Sequence, residues 1–153
     1  MHNKDTVQSV YDWFQEARPM ADQNDLMVQT GCHFEEIGEM LEQMQGLCPT
    51  SIRLIRHLKM VVNQMAHNLK NGRVKFMIKN DVAFLDSLGD QFVTGVGIGQ
   101  SLRYDVPGAY KEIDRSNWSK FDENGKAVFQ PNGKIDKAPG YTPPDLKPYV
   151  LTK

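Results

Sequence analysis

Cysteine is scarce: the chain has two, Cys32 and Cys48, in 153 residues. Neither has partners at zinc-ligand spacing, and two thiols suit a reduced cytosolic protein better than a disulfide-stapled secreted one. No apolar run approaches the ~20 residues of a membrane span. The N-terminus, Met1-His2-Asn3-Lys4-Asp5, begins no apolar signal region. The expected setting is the cytoplasm, with no membrane as partner. Charge of one sign is not in excess either, since 18 basic and 19 acidic side chains leave a net charge of −1. A broad nucleic-acid footprint needs a basic surplus, so nucleic acid is not an expected partner. Free nucleotides stay open, because a metal ion can neutralise their phosphates. The phosphate loop Gly-x-x-x-x-Gly-Lys-Ser/Thr is missing. No glutamate has a histidine three residues on, the pairing that di-iron bundles use. A serine or cysteine nucleophile lacks local support, and no internal repeat or low-complexity tract occurs.

The length is that of one ordinary domain, and 40% hydrophobic residues suffice for a packed core. We expect a single all-α domain over residues 1–153. It comprises a four- to five-helix bundle over about 5–102, then a short C-terminal β-hairpin and an extended tail over about 103–153. Val7, Val10, Tyr11 and Phe14 recur at helical spacing behind Asp5 or Thr6 as N-cap, and Pro19 ends that segment. A second helix runs from about Asn24 to Gln45, with Leu26, Thr30, Phe34, Ile37, Leu41 and Met44 as its apolar stripe. Pro49 opens a third, which runs to about Asn71 with Gly72 beyond it. Its core stripe is Leu54, Leu58, Val61, Val62, Met65 and Leu69, and His57 and His67 read as ordinary surface or boundary histidines. Residues 73 to 80 either extend the helix or form a turn. The fourth helix, about Asp81 to Leu102, is apolar nearly all round, which predicts burial. Pro107 opens a short helix through Glu112. Asn132-Gly133, flanked by Val128, Phe129 and Ile135, reads as the turn of the hairpin. Five prolines from Pro131 onward make the tail extended.

The second helix is acidic in an unusual way. His33-Phe34-Glu35-Glu36-Ile37-Gly38-Glu39 puts three carboxylates into five residues. Positions three and four apart stack on one helical face, so Glu36 and Glu35 each neighbour Glu39 and repel it, at roughly 0.2–0.5 kcal/mol per pair. A solvated acidic face is the plain explanation. Gly31 and Gly38 weigh against it, since a mid-helix glycine costs ~1 kcal/mol relative to alanine and two suggest close approach by something. Asp86 and Asp90, four apart, share their side of the fourth helix with Val82 and Val93. A buried carboxylate there must be paired, metal-bound or protonated. The simplest joint explanation is that these two helices face each other and share Mg²⁺. Mg²⁺ takes oxygen ligands and leaves positions for substrate phosphates. Two or more such ions bridge a triphosphate and acidify a bound water, with one remaining carboxylate as the base, Glu35 and Glu36 being the candidate catalytic residues. Asn117, Lys120, Lys134 and Lys137 are the candidate phosphate and base contacts.

These residues resemble a known family. Glu36-Ile37-Gly38-Glu39, preceded by Glu35, resembles the Glu-x-x-Glu half of the MazG-like all-α nucleoside triphosphate pyrophosphohydrolases. Leu85-Asp86-Ser87-Leu88-Gly89-Asp90 resembles the second acidic half. Ser116-Asn117-Trp118-Ser119-Lys120, Asn132-Gly133-Lys134-Ile135-Asp136-Lys137 and Pro144-Asp145-Leu146 are similar to the phosphoribosyl-ATP pyrophosphohydrolase-like branch met in phages and bacteria. The resemblance covers residues 5 to 147. It implies a helical bundle, dimeric or a dimer of dimers. It also implies hydrolysis of a nucleoside or deoxynucleoside triphosphate between the α and β phosphates to monophosphate and pyrophosphate, with Mg²⁺ and Mn²⁺ as alternative cofactors. Carried over by position, Glu36, Glu39 and Asp90 are metal ligands, Glu35 is an extra ligand or the base, and Asn117 and Lys120 face the nucleotide. Two positions depart from the pattern. Ser87 stands where the family's Glu-x-x-Asp places glutamate, with Asp86 one residue earlier still sharing a face with Asp90. Asp114 stands where a histidine is expected. A bundle that binds a nucleotide or a partner without catalysis is the competing reading, and an interaction protein with solvated acidic faces is a third.

Overall fold

The computed structural model describes residues 5–151. Their regular structure is helical: α1 (Thr6–Ala17), α2 (Gln23–Glu42), α3 (Pro49–Lys70), α4 (Asp81–Ser101), α5 (Val106–Trp118) and a 3₁₀ turn at Lys147–Tyr149. The all-α expectation therefore holds. Residues 73 to 80 do not extend α3. Helix α5 runs six residues past the expected end at Glu112, which places Asn117 on a helix and not in a loop.

The expected β-hairpin is absent from the described residues. Around Asn132-Gly133 there is a turn, with Gly133 N–H donating to the Gln130 carbonyl (2.8 Å) and Gln130 N–H to the Lys134 carbonyl (2.8 Å). Only an isolated bridge, Phe129 with Ile135, follows. The turn chemistry was right, with Gly133 at φ 86°. Pro131 lies within the turn, and the Asp136 N–H still donates to the Val128 carbonyl (2.8 Å), but the pairing is too short to make a strand.

The chain forms two compact units. One comprises Met20–Phe76 and the tail segment Phe129–Ile135. Its frame is the α2–α3 helical hairpin. Asp22 caps α2 in a reciprocal box with Asp25, and Cys48 caps α3 by accepting the Ser51 N–H at its sulfur (3.4 Å). Met27, Val28, Leu41, Val62, Ala66 and Leu69 are buried, Leu69 to 1% exposure and Val28 to 2%. Of the stripe expected for α3, only Val62 and Leu69 are buried, and Leu54, Leu58 and Val61 are exposed. The two helices approach through the glycines of α2. A Cβ on Gly31 would lie 2.6 Å from Lys70 Cγ and 2.9 Å from the Ala66 carbonyl oxygen, and one on Gly38 would overlap Asn63 Oδ1. Close approach was legible from these two residues, and what approaches is α3.

The other unit comprises Met1–Pro19, Met77–Val128 and Asp136–Lys153, described from residue 5 to 151. Trp13 of α1 is its centre, 5% exposed. It stacks on Phe121 with ring centroids 5.7 Å apart, and its indole N–H donates to the Asn117 carbonyl of α5 at 2.8 Å. Trp118 donates to Ser9 Oγ at 3.0 Å, a second tie between α5 and α1. The tail is strapped to α5. Arg115 donates to Thr142 and Pro143, Ser116 donates to the Thr142 carbonyl, and the Asp145 N–H donates to Glu112. Helix α4 departs from expectation. It has no buried residue, and Val82, Leu85 and Val93 are 80%, 71% and 64% exposed. Within its unit it meets α5, through Gly99 against Val106 and Phe92 near Tyr110. An apolar circumference shows that a helix is suited to burial, and the neighbours within reach decide whether burial occurs. Among the described residues no helix is long and apolar enough to cross a membrane.

Candidate functional site

A cleft of about 300 Å³ lies between α2 and α3. Glu35, Gly38, Glu39 and Glu42 line it from α2, and Lys59, Asn63, Ala66, His67 and Lys70 from α3. The spacing explains the wall on α3. Positions 59, 63, 66, 67 and 70 recur at intervals of four, three and one, which places them on one helical face. Gly38 is buried at the floor, and without a side chain there α2 sits close enough to bring its carboxylates to that face.

Electrostatics are resolved pairwise. Lys59 donates to Glu42 at 2.6 Å across the cleft. Glu35 is held from two directions: Lys70 of α3 donates to its Oε1 and Lys134 of the tail segment to its Oε2, each at 2.6 Å. All three side chains are largely covered, at 12% exposure for Lys70, 29% for Glu35 and 33% for Lys134. Burial pushes the Glu35 carboxyl upward, but the hydrogen bonds from Lys134 and Lys70 more than offset this and hold it below the usual glutamate range. The reciprocal effect holds for Lys134: burial lowers its pKa, and the bond to Glu35 raises it further than burial lowers it. Cys32, one turn before Glu36, is half-buried, and burial pushes its thiol up. Helix α3 contains no aspartate or glutamate between Pro49 and Lys70. The acidic face of α2 is therefore matched by a basic one, a placement that offsets the like-charge repulsion noted above.

The site residues expected from the sequence divide between the units. Glu35, Glu36, Glu39 and Lys134 belong to the α2–α3 unit, where the structure joins Glu35 to Lys134. Glu36 and Glu39 are exposed one turn apart on α2. Asp86, Asp90, Asn117, Lys120 and Lys137 belong to the other unit. Asp86 and Asp90 are exposed on α4, so the burial expected around them does not occur. Asn117 is half-buried, with its carbonyl taken by Trp13. The Lys120 ammonium lies 5.6 Å from the Trp13 ring centroid, and that of Lys137 lies 4.6 Å from the Tyr141 ring. Asp114, which replaces the expected histidine, has a buried Oδ1 without a hydrogen-bond partner, alone in this among the side-chain atoms of the described residues. Lys59, Asn63, His67 and Lys70 were missed by sequence reading. Their signal was available as a polar stripe at helical spacing on a helix free of acids.

Among the described residues, no group of three or more His, Cys, Asp or Glu side chains is placed to hold a metal ion. Both Glu35 oxygens are occupied; Glu36 and Glu39 are the other two α2 carboxylates expected as ligands. Two carboxylates fit magnesium, which is commonly held by one or two carboxylates with the rest of its sphere supplied by water and substrate phosphates. Comparison with protein-family models, curated proteins and solved structures returns no match.

Proposed function

We propose that the chain is a Mg²⁺-dependent nucleoside triphosphate pyrophosphohydrolase, cleaving between the α and β phosphates, as its resemblance to the MazG-like enzymes implies. The observation that carries this reading is the α2–α3 cleft, lined by Glu35, Glu39 and Glu42, in which the Glu35 carboxylate is clasped by two lysines. In this proposal Glu36 and Glu39 are metal ligands, with Asp86 and Asp90 of α4 as the second acidic pair. Bound Mg²⁺ would offset triphosphate charge and acidify a water. Lys70 and Lys134 keep Glu35 ionised and oriented. A base must have its proton-accepting oxygen available, and lysines hold both oxygens of Glu35 here, which disfavours Glu35 in that role. Asn117, Lys120 and Lys137 are proposed nucleotide contacts, and a homodimer or dimer of dimers is the proposed assembly. The test compares Mg²⁺-dependent turnover in Glu39→Gln and Asp90→Asn, each expected to abolish it with far-ultraviolet circular dichroism unchanged. Wild-type rates in either variant would remove that residue from the metal site.

The second reading is a bundle that binds a nucleotide or a partner without turnover. What favours it is Ser87 on α4 together with the pairing of Glu35 and Glu42 to lysines. Calorimetry with a non-hydrolysable triphosphate analogue separates the two, because this reading predicts heat of binding in a protein that releases no pyrophosphate.

A further inference from the structure

We propose that Lys70 and Lys134 form a phosphoryl-binding subsite, which the Glu35 carboxylate occupies in the free protein. The two ammonium groups reach one carboxylate from separate parts of the unit, the end of α3 and the Phe129–Ile135 segment, and each binds a different oxygen at 2.6 Å. Their side chains are largely covered, so their positions are set by packing. Gly31 contributes to that packing, because α2 has no side chain where Lys70 Cγ passes. Two ammonium groups share the one Glu35 carboxylate, while Glu36 acts on Lys134 and Glu39 lines the cleft beside Lys70. A dianionic phosphoryl group presents oxygens to both lysines and cancels both charges. Lysine serves phosphate as a point charge and needs no planar partner, which suits this exchange. Asn63 and His67 line the same cleft and supply further polar contacts. Glu35 thus acts as an internal competitor. A polyphosphate must displace it, and displacement returns a third carboxylate to the side of α2 that carries Glu36 and Glu39. The inference deepens the nucleotide reading and rests on it for the identity of the natural ligand, a di- or triphosphate.

The probe is inorganic pyrophosphate, titrated calorimetrically in EDTA without Mg²⁺. Removing the competitor in Glu35→Gln is expected to tighten binding about tenfold or more, since a full negative charge in contact with the site is lost. Adding Lys70→Ala or Lys134→Ala to that variant is expected to remove the gain. In the wild-type protein the side-chain ammonium resonances of Lys70 and Lys134 are expected to shift as pyrophosphate is added, a readout that needs no substitution. Pyrophosphate binding no tighter in folded Glu35→Gln than in wild type, or unmoved lysine resonances at saturation, overturns the subsite. The experiment contains neither metal nor nucleotide. A chain that binds pyrophosphate through these lysines but hydrolyses no nucleotide upholds the subsite and sinks the enzymatic reading. The reverse pair of results does the opposite.

Discussion

Two glycine-to-alanine substitutions are expected to change stability in opposite directions. Alanine is favoured over glycine within a helix by ~1 kcal/mol. At Gly89 of α4 an added Cβ meets nothing within 4 Å, so Gly89→Ala should realise roughly 0.5–1 kcal/mol. At Gly31 of α2 the same atom lies 2.9 Å from the Ala66 carbonyl oxygen, 2.6 Å from Lys70 Cγ and 3.2 Å from the Lys70 nitrogen. Two of those three atoms are backbone of α3, so the helices must separate. Overpacking of this kind costs typically 1–3 kcal/mol, which exceeds the propensity gain. Gly31→Ala should therefore be destabilising by about 1–2 kcal/mol, and loosening around Lys70 adds to the loss. The assay is urea unfolding followed by circular dichroism, with hydrogen exchange resolving α2–α3 from α4. If Gly31→Ala proves as stabilising as Gly89→Ala, the close approach of α2 and α3 at that point is wrong, and the cleft built on it goes too.

Further outcomes follow from the titratable groups. The stability Glu35 lends is fully present above the ordinary glutamate pKa of about 4.3 and is lost as pH falls through its depressed folded value. Glu35→Gln should therefore flatten the acid limb of the stability–pH curve, and an unchanged limb would show that the clasp does not form. Glu112 is hydrogen-bonded by Arg115 and the Asp145 amide and its carboxyl falls to about 2, so the Asp145 amide should stay protected from exchange until pH approaches that value. The Cys48 thiol is exposed and lowered by its hydrogen bonds with Ser51, whereas Cys32 is half-buried and raised by burial. A disulfide exchange reagent should modify Cys48 first and Cys32 distinctly later. Equal rates would mean that Cys32 is no more covered than Cys48.

Much of the helical layout was legible from local signals. Asp5 before α1, Pro49 at the start of α3 and Gly72 past its end marked boundaries within a residue or two, because capping and proline geometry act locally. A close approach to α2 was also visible, in Gly31 and Gly38, but not that α3 makes it. Burial was read less well. Val82, Leu85 and Val93 make α4 apolar all round, yet side-chain hydrophobicity records what a surface prefers and not whether a neighbour reaches it. The hairpin fell short for a similar reason, since turn residues specify the turn and not how far pairing continues. In the candidate site, the acidity of α2 was plain, but its partners were not. Lys70 and Lys134 stand 35 and 99 positions from Glu35, and no local spacing rule connects groups that distant in the chain.

The central claim is that this chain hydrolyses nucleotides at the α–β phosphate bond. It is tested most directly by incubating the protein with a panel of ribo- and deoxyribonucleoside triphosphates and identifying the products. The account predicts monophosphate and pyrophosphate in equal amounts from at least one of them, with Mg²⁺ present and not with EDTA. Release of no pyrophosphate from any nucleotide, or of inorganic phosphate and a diphosphate instead, would contradict it.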